Sequence, residues 1–308
     1  MKFIKFLFSA IAFVTFNAAA DPIRIVTNLP AGSGPDAIAR KVADQLGQVW
    51  KTPVIVDNRP GGNGVIAMNH VIDSNDPDTI YFGDFGSYTI MPIMYDRELL
   101  VRQLQPIWPG YSNIWVIAVP PQIKSWPDFK VHLKKNPMYG SWAVGSSGHL
   151  CGHELSNIIG VDAVHVPYKE YGPMFADLSN GNLAFLCVSI ASSKSYYELG
   201  KLNYLAVSGD KRDSDYKTIP TINELTGRKF RVATGSMVFF THKNTSIIQR
   251  KKLEEGIRSV LNNEELKASI NFAHGFTWKG TIEDFEKQRW QEYDGYKKLI
   301  QEMNISVK

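Results

Sequence analysis

Hydrophobic positions along this chain fall into two alternating kinds of run. Short apolar stretches of strand length end in glycine-rich turns, and longer stretches carry apolar residues at helical spacing. Residues 22–27 form the first strand candidate. It leads into Asn28-Leu-Pro-Ala-Gly-Ser-Gly-Pro-Asp36 and then a helix over 37–46. Pro35 suits a first helical position and Asp36 a first helical turn. Residues 53–57 predict a second strand, followed by Asn58-Arg-Pro-Gly-Gly-Asn-Gly64 and a helix through Ile72. A third strand over 79–82 ends in the loop Gly83-Asp-Phe-Gly-Ser-Tyr88. Alternating strands and helices predict a parallel α/β sheet, in which ligands bind beyond the carboxyl ends of the strands.

Residues 115–121 are a strong strand closed by Pro120 and Pro121, and after it the pattern restarts. A helix over 126–135 and a strand near Tyr139 lead into Tyr139-Gly-Ser-Trp-Ala-Val-Gly-Ser-Ser-Gly-His-Leu150. A helix over 151–159 follows. Strands are expected near 163–167, 183–188, 202–207 and 231–240, with a helix at 175–178. From Ser246 onward the chain reads as mostly helix. The restart predicts two α/β lobes joined by strands near 116–120 and 232–239. The expected division is 21–120 plus 235–308 for one lobe and 121–234 for the other.

The amino terminus changes the picture of where such a domain works. Met1-Lys-Phe-Ile-Lys5 is basic, 6–16 is apolar, and Ala18-Ala-Ala20 supplies small residues. This is the pattern of a secretory signal peptide cleaved after Ala20, with an apolar run too short to span a bilayer. The formal charge of +4 loses Lys2 and Lys5 with the leader. So mild a balance, without a dense basic run, argues against a nucleic-acid partner. Cys151 and Cys187 are the cysteines of an exported chain. They can be a disulfide or buried thiols, and the even count with export favours the disulfide.

The chemistry points to an anion. A Gly/Ser loop entering a helix presents unpaired backbone N–H groups and the positive end of the helix dipole. The 139–150 loop does so with the Ser146 and Ser147 hydroxyls as further donors, and the 28–36 loop repeats the pattern. Other constellations fit less well. Gly62-Asn-Gly-Val-Ile-Ala67 matches a dinucleotide fingerprint, but Arg59-Pro60 interrupts the tight turn it requires, so no cofactor is assigned. His149 and His153 have the i, i+4 spacing of a chelating pair. Cys151 lies on another face and no Glu follows His149, so no metal is assigned either. Neither Ser146 nor Ser147 has the flanks of G-x-S-x-G. His70, His165 and His242 read as structural. Trp108, Trp115 and Trp126 read as core, and Trp142 as either core or cleft wall.

Taken together, Leu29-Pro-Ala-Gly-Ser-Gly-Pro-Asp-Ala-Ile-Ala-Arg40, Asn58-Arg-Pro-Gly-Gly-Asn-Gly64, Gly145-Ser-Ser-Gly-His-Leu150, His165-Val-Pro-Tyr-Lys169 and Gly200-Lys-Leu202 carry a resemblance. Over nearly the whole mature chain, the sequence resembles the Bug-type periplasmic receptors of tripartite tricarboxylate transporters. The resemblance implies an α/β, two-lobed Venus-flytrap fold and a cleft that binds a small carboxylate through one loop-to-helix segment per lobe. It implies Leu29, Pro30, Ala31, Gly32, Ser33, Gly34 and Asp36 from the first segment. From the second it implies Ala143, Val144, Gly145, Ser146, Ser147 and His149. Asp84, Ser87 and Ser189 are expected beside them. It further implies a monomer that delivers its ligand to membrane permease subunits, with no catalysis and no cofactor. The alternatives are an exported receptor feeding a signalling partner, and an exported hydrolase using Ser146 or Ser147 with His149.

The chain departs from the family pattern at several of these positions. Ser33 replaces a glycine, Ala143-Val144 replaces Gly-Asn, and Val188-Ser189 replaces Asp-Asn. Asp84 stands where Thr or Ser is frequent, and Met91 where Asn is. Asp84 either attracts a ligand ammonium, making the ligand an amino acid rather than a dicarboxylate, or caps the turn around Gly86.

Overall fold

The computed structural model describes residues 21–302 apart from Pro30, Ala233, Ala273 and His274. The expected signal peptide and cleavage position lie outside the described residues, as does Pro30. The first unit is strand β1 (Ile23–Thr27), helix α1 (Gly34–Trp50), β2 (Val54–Asn58), α2 (Val65–Ser74) and β3 (Thr79–Asp84). β1 pairs in parallel with β2 and with β3, so the loops after all three strands open at one edge. α1 forms because Ile38, Ala39, Val42, Ala43 and Leu46 recur on one face, and that face is buried. It packs with Ile23 and Ile25 of β1 and with Leu253 and Ile257 of a later helix. Each fully buried aliphatic side chain of this kind contributes about 1.5–3 kcal/mol.

The segment after β3 differs from the loop expected there. Gly83 and Asp84 are the last residues of β3, and Gly86–Ile90 is a π-helical turn running directly into α3 (Met91–Met94). Ser87, Tyr88, Thr89 and Ile90 are all buried, which a surface loop would not be. A short α4 (Glu98–Val101) precedes β4 (Leu104–Val119).

β4 organises the molecule. At 16 residues it is far longer than the strand expected over 115–121. Its first half was hidden in the sequence by Pro106 and Pro109, which lack an N–H. The register shifts between Pro106 and Trp108 and again between Pro109 and Tyr111. That first half pairs with β9 (Thr234–His242), which in turn pairs with β3. The second half, from Trp115, pairs with β7 (Phe185–Ser189) and β8 (Asn203–Val207). One strand thus carries the sheet from the amino-terminal half of the fold into the central part of the chain.

That second half is built from α5 (Trp126–Lys135), β5 (Met138–Ser141), α6 (Ser147–Ile159), β6 (Val164–Pro167), α7 (Tyr171–Ser179), β7, α8 (Ile190–Glu198), β8 and α9 (Ile222–Thr226). β5 pairs in parallel with β6 and β7. Cys151 on α6 and Cys187 on β7 form a disulfide, which staples the helix to the sheet. The chain ends in α10 (Ile247–Leu261), α11 (Glu264–Phe272), the short β10 (Gly275–Phe276) and α12 (Ile282–Glu302), close to the helical tail expected. Buried Glu154 of α6 accepts hydrogen bonds from the backbone N–H groups of Arg231 and Val232 and pairs with the Arg231 guanidinium. The segment entering β9 is anchored to α6 in this way.

Candidate functional site

Two helix N-termini, those of α1 and α6, supply the anion-type donors, and both are capped by serine. Ser33 Oγ accepts from Asp36 N at 3.3 Å, and Ser146 Oγ accepts from His149 N at 3.2 Å. In each, the third helical residue reaches back to the amide just before the cap. Gly32 N donates to Asp36 Oδ2 at 2.8 Å, and Gly145 N donates to His149 Nδ1 at 3.0 Å. Gly32 and Gly145 have φ of 78° and 76°, a backbone region that glycine enters without penalty.

The two sites then diverge. Asp36 is 1 % exposed, and its oxygens also take Asn58 Nδ2 at 2.7 Å and Arg40 Nε at 3.0 Å. Burial pushes its pKa upward, but the bonds from Asn58, Gly32 and Arg40 outweigh that and hold it below the usual aspartate value. His149 is buried and uncharged. Burial first, then the neighbouring His165 and His153, push it down to about 3, while burial pushes His165 down to about 4. The His149 and His165 rings stack with centroids 4.0 Å apart. Because Nδ1 of His149 accepts from Gly145, its proton sits on Nε2. At α6 the amides of Ser147 and Gly148 are left without a bond among the described residues, and both residues are buried. At α1 the comparable amide, that of Gly34, is on an exposed residue.

Strand ends and loops converge on the α6 terminus. Asn63 Nδ2 donates to Val144 O at 3.1 Å, a bond that spans 81 residues of sequence. An ideal Cβ on Gly145 would lie 2.6 Å from Met94 Sδ, and one on Gly86 would lie 3.8 Å from Ser147 Oγ. The π-helical turn after β3 therefore faces the start of α6. Asp84 holds its carboxylate there, accepting from Asn28 Nδ2 at 2.8 Å and from Gly86 N at 3.2 Å. Ser87, expected at the ligand, is buried instead in an internal chain: it donates to Asp84 O and accepts from Tyr81, each at 2.7 Å.

The remaining expected residues are placed as follows. Leu29 O accepts from Asn58 Nδ2. Ala31 is exposed, and Ala143 O accepts from Ser146 N and from Ser141 Oγ. Ser189 caps α8 through Ser192 N and lies opposite Trp115 in the β4–β7 register. Among the described residues no hydrogen bond or ion pair joins the first loop directly to the second. Trp142 is 36 % exposed, Trp108 is buried, and Trp115 and Trp126 are half-buried against the core. His165, read as structural and without a visible partner, bonds Ser141 Oγ at 2.7 Å, and Ser141 is 3.0 Å from Ser146 Oγ. No hydrogen bond links Ser146 or Ser147 to the His149 ring among the described residues, which is the contact a hydrolytic dyad needs. Nor do the described residues hold a group of three or more His, Cys, Asp or Glu suited to a metal ion.

Asn28, Asn63, Met94 and Trp115 were not anticipated at the site. Asn28 and Asn63 lie in loops the sequence did mark, so their polar side chains were the available signal.

A family model for the tripartite tricarboxylate transporter family receptor matches residues 38–305. A UPF0065 protein of Bordetella pertussis is 25% identical over 301 residues, covering 92% of this chain and 90% of its own length. A solved structure described as a periplasmic transporter is 25% identical with a TM-score of 0.82, covering 93% of this chain and 98% of its own. A Rhodopseudomonas palustris protein solved with adipate superposes with a TM-score of 0.84 at 22% identity, covering 93% of this chain and 99% of its own. These likenesses establish the two-lobed α/β periplasmic-binding-protein fold. No helix among the described residues is long and apolar enough to cross a membrane. The chain is a solute-binding receptor and belongs to the tripartite tricarboxylate transporter receptor family.

Proposed function

We propose that this receptor captures one small carboxylate in the cleft between a lobe of residues 21–120 plus 235–308 and a lobe of residues 121–234. It then presents the closed complex to membrane permease subunits. The observation that carries this reading is the α6 N-terminus, where the amides of two buried residues, Ser147 and Gly148, lack partners among the described residues beside the Ser147 hydroxyl. An unpaired buried N–H is costly and a carboxylate satisfies it, aided by the helix dipole. The neutral His149 beneath them adds no competing negative charge. The adipate bound by the Rhodopseudomonas protein is a ligand of the same chemical kind.

In this reading Ser147 and Gly148 hold the ligand from one lobe. Gly34 and Ala31 approach from the other, while Asp36, Ser33, Ser87, Ser146 and His149 shape the backbone rather than touch the ligand. Ser189 stands beside the pocket at the end of β7. The chain works as a monomer in the periplasm after cleavage behind Ala20, and no bond in the ligand is made or broken. Native mass spectrometry of the purified protein, followed by calorimetry with the ligand so weighed, tests the reading. A single bound acid recovered unchanged supports it. Turnover of simple esters, or no binding by any small acid, contradicts it.

A further inference from the structure

One charged group at the site is left over once the carboxylate is placed. Asp84 ends β3 with its side chain half-buried, and the donors to its oxygens are Asn28 Nδ2 and Gly86 N. A carboxylate offers about four lone-pair sites, so these bonds orient it without consuming it. Among the described residues no cation pairs with Asp84.

Its location gives that charge a use. An ideal Cβ on Gly86 would lie 2.9 Å from Asp84 Oδ2 and 3.8 Å from Ser147 Oγ, so the carboxylate and the first turn of α6 both come close to the same point. After burial, the charge of Asp84 is a cause raising the pKa of Tyr111 on β4. The Trp115 indole packs its Cζ3 edge 3.5 Å from an ideal Cβ on Gly148, while its N–H lies beside Gly235. The site therefore brings the unbonded amides of Ser147 and Gly148 and a carboxylate without a cation close together.

We propose that Asp84 makes this cleft selective for a carboxylate that also carries an ammonium group, an α-amino acid or a close amine-bearing analogue. The inference rests on the carboxylate site proposed at α6. The ligand carboxylate takes the donors of Ser147 and Gly148, and its ammonium takes the open lone pairs of Asp84. A second ligand carboxylate in the same place meets a like charge and is disfavoured. The bond from Gly86 N to Asp84 Oδ2 agrees with a turn-capping role and does not compete, because with Asn28 Nδ2 on Oδ1 each oxygen has taken one donor and keeps a further lone pair to accept with.

The test uses acid pairs that differ only by the amine: glutarate and L-glutamate, propanoate and L-alanine, 3-phenylpropanoate and L-phenylalanine. Each is titrated calorimetrically into the exported chain, into Asp84→Asn and into Ser147→Ala. The expected result is one pair in which the amine-bearing member binds at least 10-fold tighter to the wild type. Asp84→Asn then lowers that ratio by at least 10-fold, with an unchanged circular dichroism spectrum. Ser147→Ala weakens both members alike. A wild type that binds the deaminated acid as tightly as its amine partner overturns the role of Asp84, as does an unchanged ratio in Asp84→Asn. The carboxylate site survives that failure if Ser147→Ala still weakens binding. Binding by no pair overturns the carboxylate site and this inference with it. If Asp84→Asn does not fold, the wild-type ratio alone decides.

Discussion

The N-termini of α1 and α6 begin with the same construction and finish as different devices. Both have a glycine at positive φ, a serine cap, and a third residue whose side chain binds the amide before the cap. At α1 that third residue is a carboxylate, and its neighbours Arg40 and Asn58 complete a closed network. At α6 it is a neutral imidazole packed on His165, so the third residue itself brings no charge that opposes an anion. α6 is also buried at its start and tied to β7 by a disulfide, whereas the start of α1 is exposed. In the reading proposed above, the loop-to-helix pattern marks where an anion can bind, and the third helical residue sets how freely it does.

The largest expected difference between the two ends is covalent. The Cys151–Cys187 bond closes a sequence separation of 36 residues, for which loop entropy gives about 4 kcal/mol. The double variant Cys151→Ala, Cys187→Ala should lose stability of that order in urea unfolding. It should also lose ligand affinity, because the α6 terminus is no longer clamped. Equal stability with and without the bond would mean that packing alone holds α6.

Next comes space. An ideal Cβ on Gly148 meets the Cys187 carbonyl oxygen and Ser141 Cβ at 3.1 Å each, while one on Gly34 meets nothing within 4 Å. Gly148→Ala should cost about 1–3 kcal/mol through overpacking and displace the donor amides. Gly34→Ala should stay within about 0.5 kcal/mol of wild type. Thermal unfolding of the matched pair checks the asymmetry, and equal shifts would erase it.

These contrasts show what the sequence could and could not convey. The strand–loop–helix units of β1–α1 and β5–α6 were legible because apolar period and glycine position are local signals. The first half of β4 was not, since Pro106 and Pro109 break the strand pattern and their cost is absorbed at register shifts. The buried π-helical turn after β3 looked like a glycine loop because Gly86 and Ser87 are loop residues by composition, and only tertiary packing makes them core. α8 carries Ser192, Ser193, Lys194 and Ser195 in place of an apolar stripe and left no period to find. Within the site Ser146 was marked as a donor to the ligand, whereas its oxygen accepts from His149 N as a helix cap. The Asn63–Val144 bond and the His149–His165 stack join residues far apart in sequence and left no local trace. Asp36 and Ser87 were expected at the ligand from the family resemblance, and the bonds they make among the described residues are internal.

Protonation separates the two ends by a smaller amount. His149 has a folded pKa of about 3, below the ordinary value of 6.5. Below pH 6.5 the unfolded chain takes up a proton that the folded chain refuses. Stability from this group is therefore fully present above pH 6.5 and falls as pH drops toward about 3. The slope is at most about 1.4 kcal/mol per pH unit, or about 2 kcal/mol between pH 6.5 and 5. His149→Gln keeps an acceptor for Gly145 N and should flatten that part of the profile, with the share of His165 remaining. Asp36 has a lowered pKa, so its contribution is present above the ordinary aspartate value and is lost only in stronger acid. Chemical unfolding from pH 4.5 to 7 should thus be insensitive to Asp36→Asn in slope. A slope unchanged by His149→Gln would show that the imidazole is not held neutral.

Smallest are the caps themselves. Ser33→Ala and Ser146→Ala should each cost about 1 kcal/mol, and Ser146→Ala more of the two, because its hydroxyl is 1 % exposed and also meets Ser141. Equal losses would imply that burial at α6 adds nothing to the cap.

The central claim is that the α6 N-terminus, more than that of α1, receives the ligand carboxylate. Backbone amide NMR of the ¹⁵N-labelled protein, titrated with the tightest binder among the paired acids, tests it directly. The account predicts that the Ser147 and Gly148 amides show the largest downfield shifts, with Gly34 moving less. Large shifts at Gly34 with Ser147 and Gly148 unmoved would contradict it.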